Sequence, residues 1–150
     1  MIRVQTMDFD PGAEIANLHA KRSDIGAVVS FVGLVRGESH GEALVSMTLE
    51  HFPGMTEREL ERIEREARSR WTLDDVVVVH RVGELKPGER IVLVVTAAAH
   101  RRAAFEAAEY LMDYLKTRAP FWKRELRMSG EHWVEARGSD DDAAARWRKD

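Results

Sequence analysis

The spacing of hydrophobic positions changes several times along the chain, and each change marks an element. "IGAVVSFVGLVR" (Ile25 to Arg36) is apolar and β-branched almost throughout, which predicts a buried strand. "GESHGEA" follows it, polar with two glycines, and predicts a mobile loop. "LVSMTLEHF" alternates and predicts a strand paired with the first. In "PGMTERELERIEREARSRW" the spacing shifts to three and four, so that Leu60, Ile63, Ala67 and Trp71 fall on one helical stripe. Thr56 with Glu59 has the spacing of a capping box, and Met55 with Leu60 that of a hydrophobic staple. Glu61–Arg65, Glu64–Arg68 and Glu66–Arg70 stand four apart on the wet side, so this helix accounts for its own charges.

"VVVVHRVGEL" and "ERIVLVVTAAA" predict two strands joined by "KPGE", where Pro87 and Gly88 suit the central positions of a type II turn. A helix is expected from about His100 to Arg118, with Ala104, Ala108, Leu111 and Leu115 on its core face and Pro120 as its stop. "KRELRM" and "HWVEAR" flank "SGE" as a hairpin. The tail "GSDDDAAARWRKD" suits a short helix with acidic residues at its start, where the helix dipole favours them. Hairpins mixed with helices point to an α+β fold, and 150 residues without a repeat or a low-complexity linker to one domain.

Composition narrows the function. The net charge is -3, which argues against a general nucleic-acid binder and makes any anion site a local one. No apolar run has the length of a membrane span, and "MIRVQTMDFDPG" lacks a signal-peptide layout, so a soluble cytoplasmic protein is expected. Cysteine is absent, which excludes disulfides, thiolate metal sites and a thiol nucleophile. The six histidines show no HxH or HExxH spacing, so no metal site is expected. Nucleotide-binding glycine motifs and GxSxG are also missing.

Against that acidic background, "KTRAPFWKRE" sets four cations around Ala-Pro-Phe-Trp. Lys116 closes a helix, where a cation serves as an ordinary cap. Lys123 stands beside Trp122, where a lysine can simply snorkel. The Pro120 break also allows the chain to turn back and bring the two amines together. Close ammonium groups in a partly dry pocket lower each other's pKa, and a lysine so tuned acts as a general base, acid or nucleophile. In "AHRRAAF", His100, Arg101 and Arg102 fall at a helix start, whose free N–H groups favour an anion; the alternative is pairing with surface carboxylates. Arg36 and Arg137 each end a strand. Either alone is a solvated terminus; together with the basic stretch they suit phosphate and carboxylate. The residues by themselves describe an anion-binding pocket with lysine chemistry.

The segments "TLEHFPGMTE", "HRVGELKPGE", "AHRRAAFEAAEYLMDYLKTRAPFWKRE" and "WVEAR" resemble the large, catalytic subunit family of molybdopterin synthase, from about Ile25 to Trp147. The resemblance implies an α+β fold with an α/β-hammerhead subdomain beside an antiparallel sheet. It implies a sulfurtransferase that converts cyclic pyranopterin monophosphate to molybdopterin. Sulfur arrives on the C-terminal Gly-Gly thiocarboxylate of a small ubiquitin-like subunit, in a heterotetramer built on a homodimer of large subunits. No cofactor, membrane or nucleic acid enters that reading. Lys116 and Lys123 are the implied catalytic pair, and Arg36, His100, Arg101, Arg124, Glu125 and Arg137 join them as the implied substrate site. Many relatives read Gly-Lys-Val-Arg where this chain has "GLVR", so Leu34 replaces a lysine. The strands "VVVV" and "IVLVV" with the aromatic tail suggest more apolar surface than a monomer hides, in line with a homodimer. The rival readings are a non-catalytic scaffold for a ubiquitin-like partner and a nucleic-acid protein that stacks bases on the basic-aromatic stretch.

Overall fold

The structure is a computed structural model and describes residues 1–135 and 138–148. In chain order the elements are β1 (Ile2–Gln5), α1 (Pro11–His19), β2 (Ala27–Leu34), β3 (Glu38–Ser39), β4 (Glu42–His51), α2 (Met55–Arg70), β5 (Asp75–Arg81), β6 (Gly83–Leu85), β7 (Arg90–Ala98), α3 (Arg101–Arg118), β8 (Phe121–Arg127), β9 (Gly130–Val134) and α4 (Gly138–Ala145). They form two sheets with helices packed on the first, the expected α+β class. No helix among the described residues is long and apolar enough to cross a membrane.

The first sheet has the order β1-β5-β7-β2, with β1 parallel to β5 and the other pairs antiparallel. Both faces of its centre are covered, which explains why β5 and β7 read as unbroken valine runs. Val76, Val78 and Val94 pack with Ile63 and Leu111 of α2 and α3. Val77, Val79 and Val95 pack on the other side with Phe9 and Leu18. The valine strands are therefore buried inside the chain, and the apolar surface expected from them for a dimer lies elsewhere.

The second sheet has the order β3-β4-β8-β9, with β6 also paired to β4. Here the strand pairing departs from expectation. β2 pairs with β7, from Ala27↔Ala98 to Leu34↔Arg90, and β4 pairs with β8. A register shift at Gly33/Leu34 ends β2, and "GESHGEA" folds into a hairpin instead of an open loop, with Ser39 opposite Glu42. His40 and Gly41 take positive φ at its tip, and the change of sheet comes before it, between β2 and β3. "VVVVHRVGEL" likewise splits at Gly83 (φ +91), so that β5 belongs to the first sheet and β6 to the second.

The cap of α2 also differs. Gly54 is the N-cap, and its N–H donates to Glu57 Oε2 at 2.6 Å. Thr56 is buried in the first turn, where its hydroxyl donates to the Phe52 carbonyl, so Thr56–Glu59 is not the capping pair. The stripe of Leu60, Ile63 and Ala67 is buried as expected, and Glu64–Arg68 forms at 3.0 Å. Glu66 turns instead to Arg62 and Arg118, and Arg70 lies over the Tyr110 ring. The turn at "KPGE" closes through Glu89 N–H to the Lys86 carbonyl with Gly88 at φ +87, as a type II turn requires.

Candidate functional site

Helix α3 is anchored by its buried face, Ala104, Ala108, Leu111 and Leu115, which fixes where Lys116 leaves its last turn. Beyond Pro120 the chain turns into β8, where Phe121 pairs with His51 and Lys123 with Leu49. This return lays Phe121 against one side chain of the first sheet, His80, with Lys123 two residues further along β8. The imidazole is 5% exposed and stacks on Phe121 at 3.9 Å with 17° between the planes. Its Nδ1 lies 2.8 Å from the Arg81 carbonyl. A carbonyl only accepts, so Nδ1 carries the proton and Nε2 keeps a lone pair. Burial pushes the His80 pKa down to about 4 against the pull of that hydrogen bond, and the charges of Lys116 and Lys123 push it further. His51 lies across Phe121 at 6.4 Å, and its Nδ1 is buried without a hydrogen-bond partner among the described residues. Lys116 is exposed and Lys123 half-buried.

Side chains alternate along β8, which sorts its charges by face. Lys123, Glu125 and Arg127 share one face. Glu125 is 4% exposed and accepts from Ser39 Oγ at 2.9 Å and Arg127 Nη2 at 3.2 Å. Burial raises its pKa, but those hydrogen bonds and the charges of Arg127 and Lys123 outweigh it and hold the carboxyl below its usual range. Ser39 sits in the segment that follows Arg36, so Glu125 braces that segment against the strand carrying Lys123. Arg36 through His40 line an open depression of about 620 Å³. Leu34, just before it, is exposed.

Arg124 lies on the opposite face of β8. It stands 3.6 Å from Glu50 and over the Trp133 ring at 5.6 Å, on an exposed apolar surface with Trp122 and Leu126. Arg118 is held by Glu59 and Glu66 at 2.9 and 2.8 Å and covers Tyr114. Of the four cations around Ala-Pro-Phe-Trp, the two arginines are thus engaged elsewhere, and the two lysines are the ones whose charges are felt at His80.

His100 and Arg101 occupy the other end of α3. His100 is the N-cap residue, and with Gly26, Ala99, Arg101 and Arg102 it lines a second open depression of about 490 Å³. A Cβ at Gly26 would collide with the Ala99 carbonyl oxygen, so only glycine lets β2 approach this turn. Arg102 pairs with Glu106 at 2.9 Å, the surface pairing expected of one of these arginines. At 1.5 Å per residue the helix separates Arg101 from Lys116 by roughly 22 Å. The candidate residues therefore form two groups: Lys116 and Lys123, with the Arg36 segment tied to their strand, and His100 with Arg101. Arg137 lies outside the described residues. Among those residues no group of three or more His, Asp or Glu is placed to hold a metal ion. The sequence search for paired histidine spacings passed over His80 and His51; the signal was a lone His at the end of an apolar strand run.

Two sheets with helices packed on the first, and Lys116 and Lys123 on either side of the Pro120 return from α3 to the second sheet, define an α+β protein with a candidate cationic site. The profile described as "MoaE protein" matches residues 4–118. The molybdopterin synthase catalytic subunit of Mesorhizobium japonicum is 57% identical over 149 residues, covering 98% of this chain and 92% of that protein. The structure of the molybdopterin biosynthesis MoaE protein from Burkholderia ambifaria superposes with a TM-score of 0.84 at 54% identity, covering 98% of this chain and 97% of that one. A complex of subunits 1 and 2 of molybdopterin-converting factor from Helicobacter pylori shares the fold, with a TM-score of 0.74 at 21% identity over 91% of each chain. The chain belongs to the MoaE family.

Proposed function

We propose that this chain is the catalytic subunit of a molybdopterin synthase and acts in the cytoplasm as a sulfurtransferase on cyclic pyranopterin monophosphate. The observation that carries the reading is the placement of Lys116 at the end of α3 and Lys123 on β8 just past Phe121, the residue that stacks on buried His80. The segment braced against the Lys123 strand through Glu125 carries Arg36 beside an open depression, and such cations suit a phosphate-bearing substrate. A small ubiquitin-like partner presents its C-terminal thiocarboxylate. Its sulfur forms a C–S bond at the pterin side chain as a C–O bond there breaks, and the lysines stabilise the departing oxygen and give it its proton. Water then cleaves the acyl C–S bond, which leaves sulfur on the pterin and returns the partner as a carboxylate. A second charged partner supplies the second sulfur. The chain has no cysteine, so the sulfur comes from outside it.

The separation along α3 adds a requirement. His100 and Arg101 reach a substrate at Lys116 only from a second copy, so the working unit in this reading is a homodimer of this chain within a heterotetramer. The exposed apolar residues Trp122, Leu126, Trp133 and Phe52 support further assembly. The test is incubation with thiocarboxylated partner and the cyclic pterin phosphate, with molybdopterin as the expected product. A protein that binds the partner but yields no product is a scaffold, and the reading falls.

A further inference from the structure

We propose that His80 is a positioning residue for the lysine pair: its Nε2 lone pair is a fixed acceptor that orients a lysine ammonium for proton transfer. This rests on the reading of Lys116 and Lys123 as the catalytic groups. The geometry behind it is independent of that reading. The ring cannot rotate freely, because Phe121 stacks on its face and the Arg81 carbonyl binds Nδ1. That bond fixes the tautomer, so Nε2 is an acceptor whenever the ring is neutral. The charged groups that bear on the ring come from three elements: Lys116 from α3, Lys123 from β8 and His51 from β4. Arg81 itself is turned away, with its guanidinium on the Thr6 and Arg90 carbonyls. Lys123 shares a face of β8 with Phe121, two residues away, so the ring supplies a lone pair close to that strand's lysine.

Space-filling alone is a poor account of such a residue. A buried polar nitrogen is costly unless it is used, and a phenyl ring would stack on Phe121 without that cost. A neutral imidazole also avoids a third positive charge beside two ammonium groups, since burial keeps it unprotonated at neutral pH.

Three substitutions separate the roles. His80→Phe keeps a ring and removes both nitrogens. His80→Asn keeps a polar group near the Nδ1 position, and His80→Gln places an amide oxygen near the Nε2 position. Single-turnover rates, measured per folded molecule with saturating thiocarboxylated partner, are expected to hold best in His80→Gln. His80→Asn and His80→Phe are expected to lose about 10- to 100-fold in kcat, the range that misplacement of a reacting group produces, with KM near the wild-type value. Rates in His80→Phe that match or exceed those of His80→Gln, or equal rates in all three variants, overturn the proposal. The unsubstituted protein gives a second test that needs no variant to fold. Imidazole ¹⁵N spectra are expected to show His80 protonated on Nδ1; a proton on Nε2 overturns the inference and leaves the lysine reading standing. Full activity in Lys116→Ala removes the lysine reading itself, whatever the His80 spectra show.

Discussion

The two ends of α3 are built in opposite ways. At the C-terminal end, the last turn is held by Leu111 and Leu115, and β8 returns beside it through Phe121, which is clamped against His80. The functional groups there are long amines whose stems leave rigid elements. At the N-terminal end, His100 and Arg101 are exposed around an open depression, and their fixed feature is the backbone turn that Gly26 permits. The first arrangement suits proton transfer, which needs atoms placed to a fraction of an ångström. The second suits holding an anion, where free N–H groups and long-range charge tolerate looser geometry. One chain keeps these two parts roughly 22 Å apart along the helix.

The largest expected effect tests the rigid end. Lys116→Ala should lower the single-turnover rate by at least about 100-fold, the scale of a lost general acid or base, with partner binding retained. Lys116→Arg should not rescue it, because a guanidinium stays protonated and cannot serve as a base. Lys123→Arg should keep part of the rate. Full activity in Lys116→Arg together with a dead Lys123→Arg reverses the two roles.

The next effect tests whether the two ends meet across copies. Lys116→Ala and Arg101→Ala are each expected to be impaired alone. In an equal mixture that exchanges subunits, half the dimers pair unlike chains, and each of these holds one intact site. About a quarter of the wild-type rate should therefore return. No recovery, in a mixture shown to contain mixed dimers, means that the two ends never serve one site.

A smaller effect comes from the buried imidazole. His80 titrates near 4 in the folded chain, below the ordinary 6.5, so the unfolded chain binds more protons between those values. Its contribution to stability is complete above about pH 6.5 and is lost as the pH falls toward 4, by about 3 kcal/mol in all. Glu125 and Glu66, whose pKa values are lowered, also cost stability in acid, but they do so with or without His80. Urea unfolding at pH 7 and at pH 4.5 should show a smaller acid loss in His80→Phe than in the unsubstituted chain. Equal losses would mean that His80 already carries a proton in the folded state.

The sequence was informative where one local rule decided the outcome. The Pro87–Gly88 turn, the apolar stripe of α2, the stop at Pro120 and the β8–β9 hairpin all follow from residues close together in the chain. β1 and α1 were missed although Asp10 caps α1 with Pro11 at its start, a local signal that was there to read. Strand partners were misread because periodicity reports which face is buried and says nothing about which strand covers it. β2 and β4 both look like core strands, yet the break between Leu34 and Glu38 sends them to different sheets. The proposed lysine pair was legible as two cations seven positions apart in one basic stretch. His80 was not, because its setting depends on Phe121 arriving from a distant part of the chain. Arg124 and Lys123 are neighbours in sequence, and only the pleat reveals that they point to opposite faces.

That last pair gives the smallest and most selective test. Arg118 and Arg124 belong to the same basic stretch as the lysines, but their partners are structural. Arg118 bridges Glu59 of α2 and Glu66 of the same helix from the last turn of α3, so it ties the two helices together. It is mostly shielded from solvent, and Arg118→Ala should cost about 1–2 kcal/mol of stability, above the level of an exposed ion pair. Arg124 faces an exposed carboxylate and an exposed indole, so Arg124→Ala should cost about 0.5 kcal/mol or less. Neither substitution should change the single-turnover rate per folded molecule by more than about twofold, because neither group lies on the lysine side of its element. Thermal melts and rates measured on the same preparations check both statements. A fall in rate for Arg124→Ala as steep as that for Lys123→Ala would place the outer face of β8 in the substrate site, and the division of cations between the two faces would then be wrong.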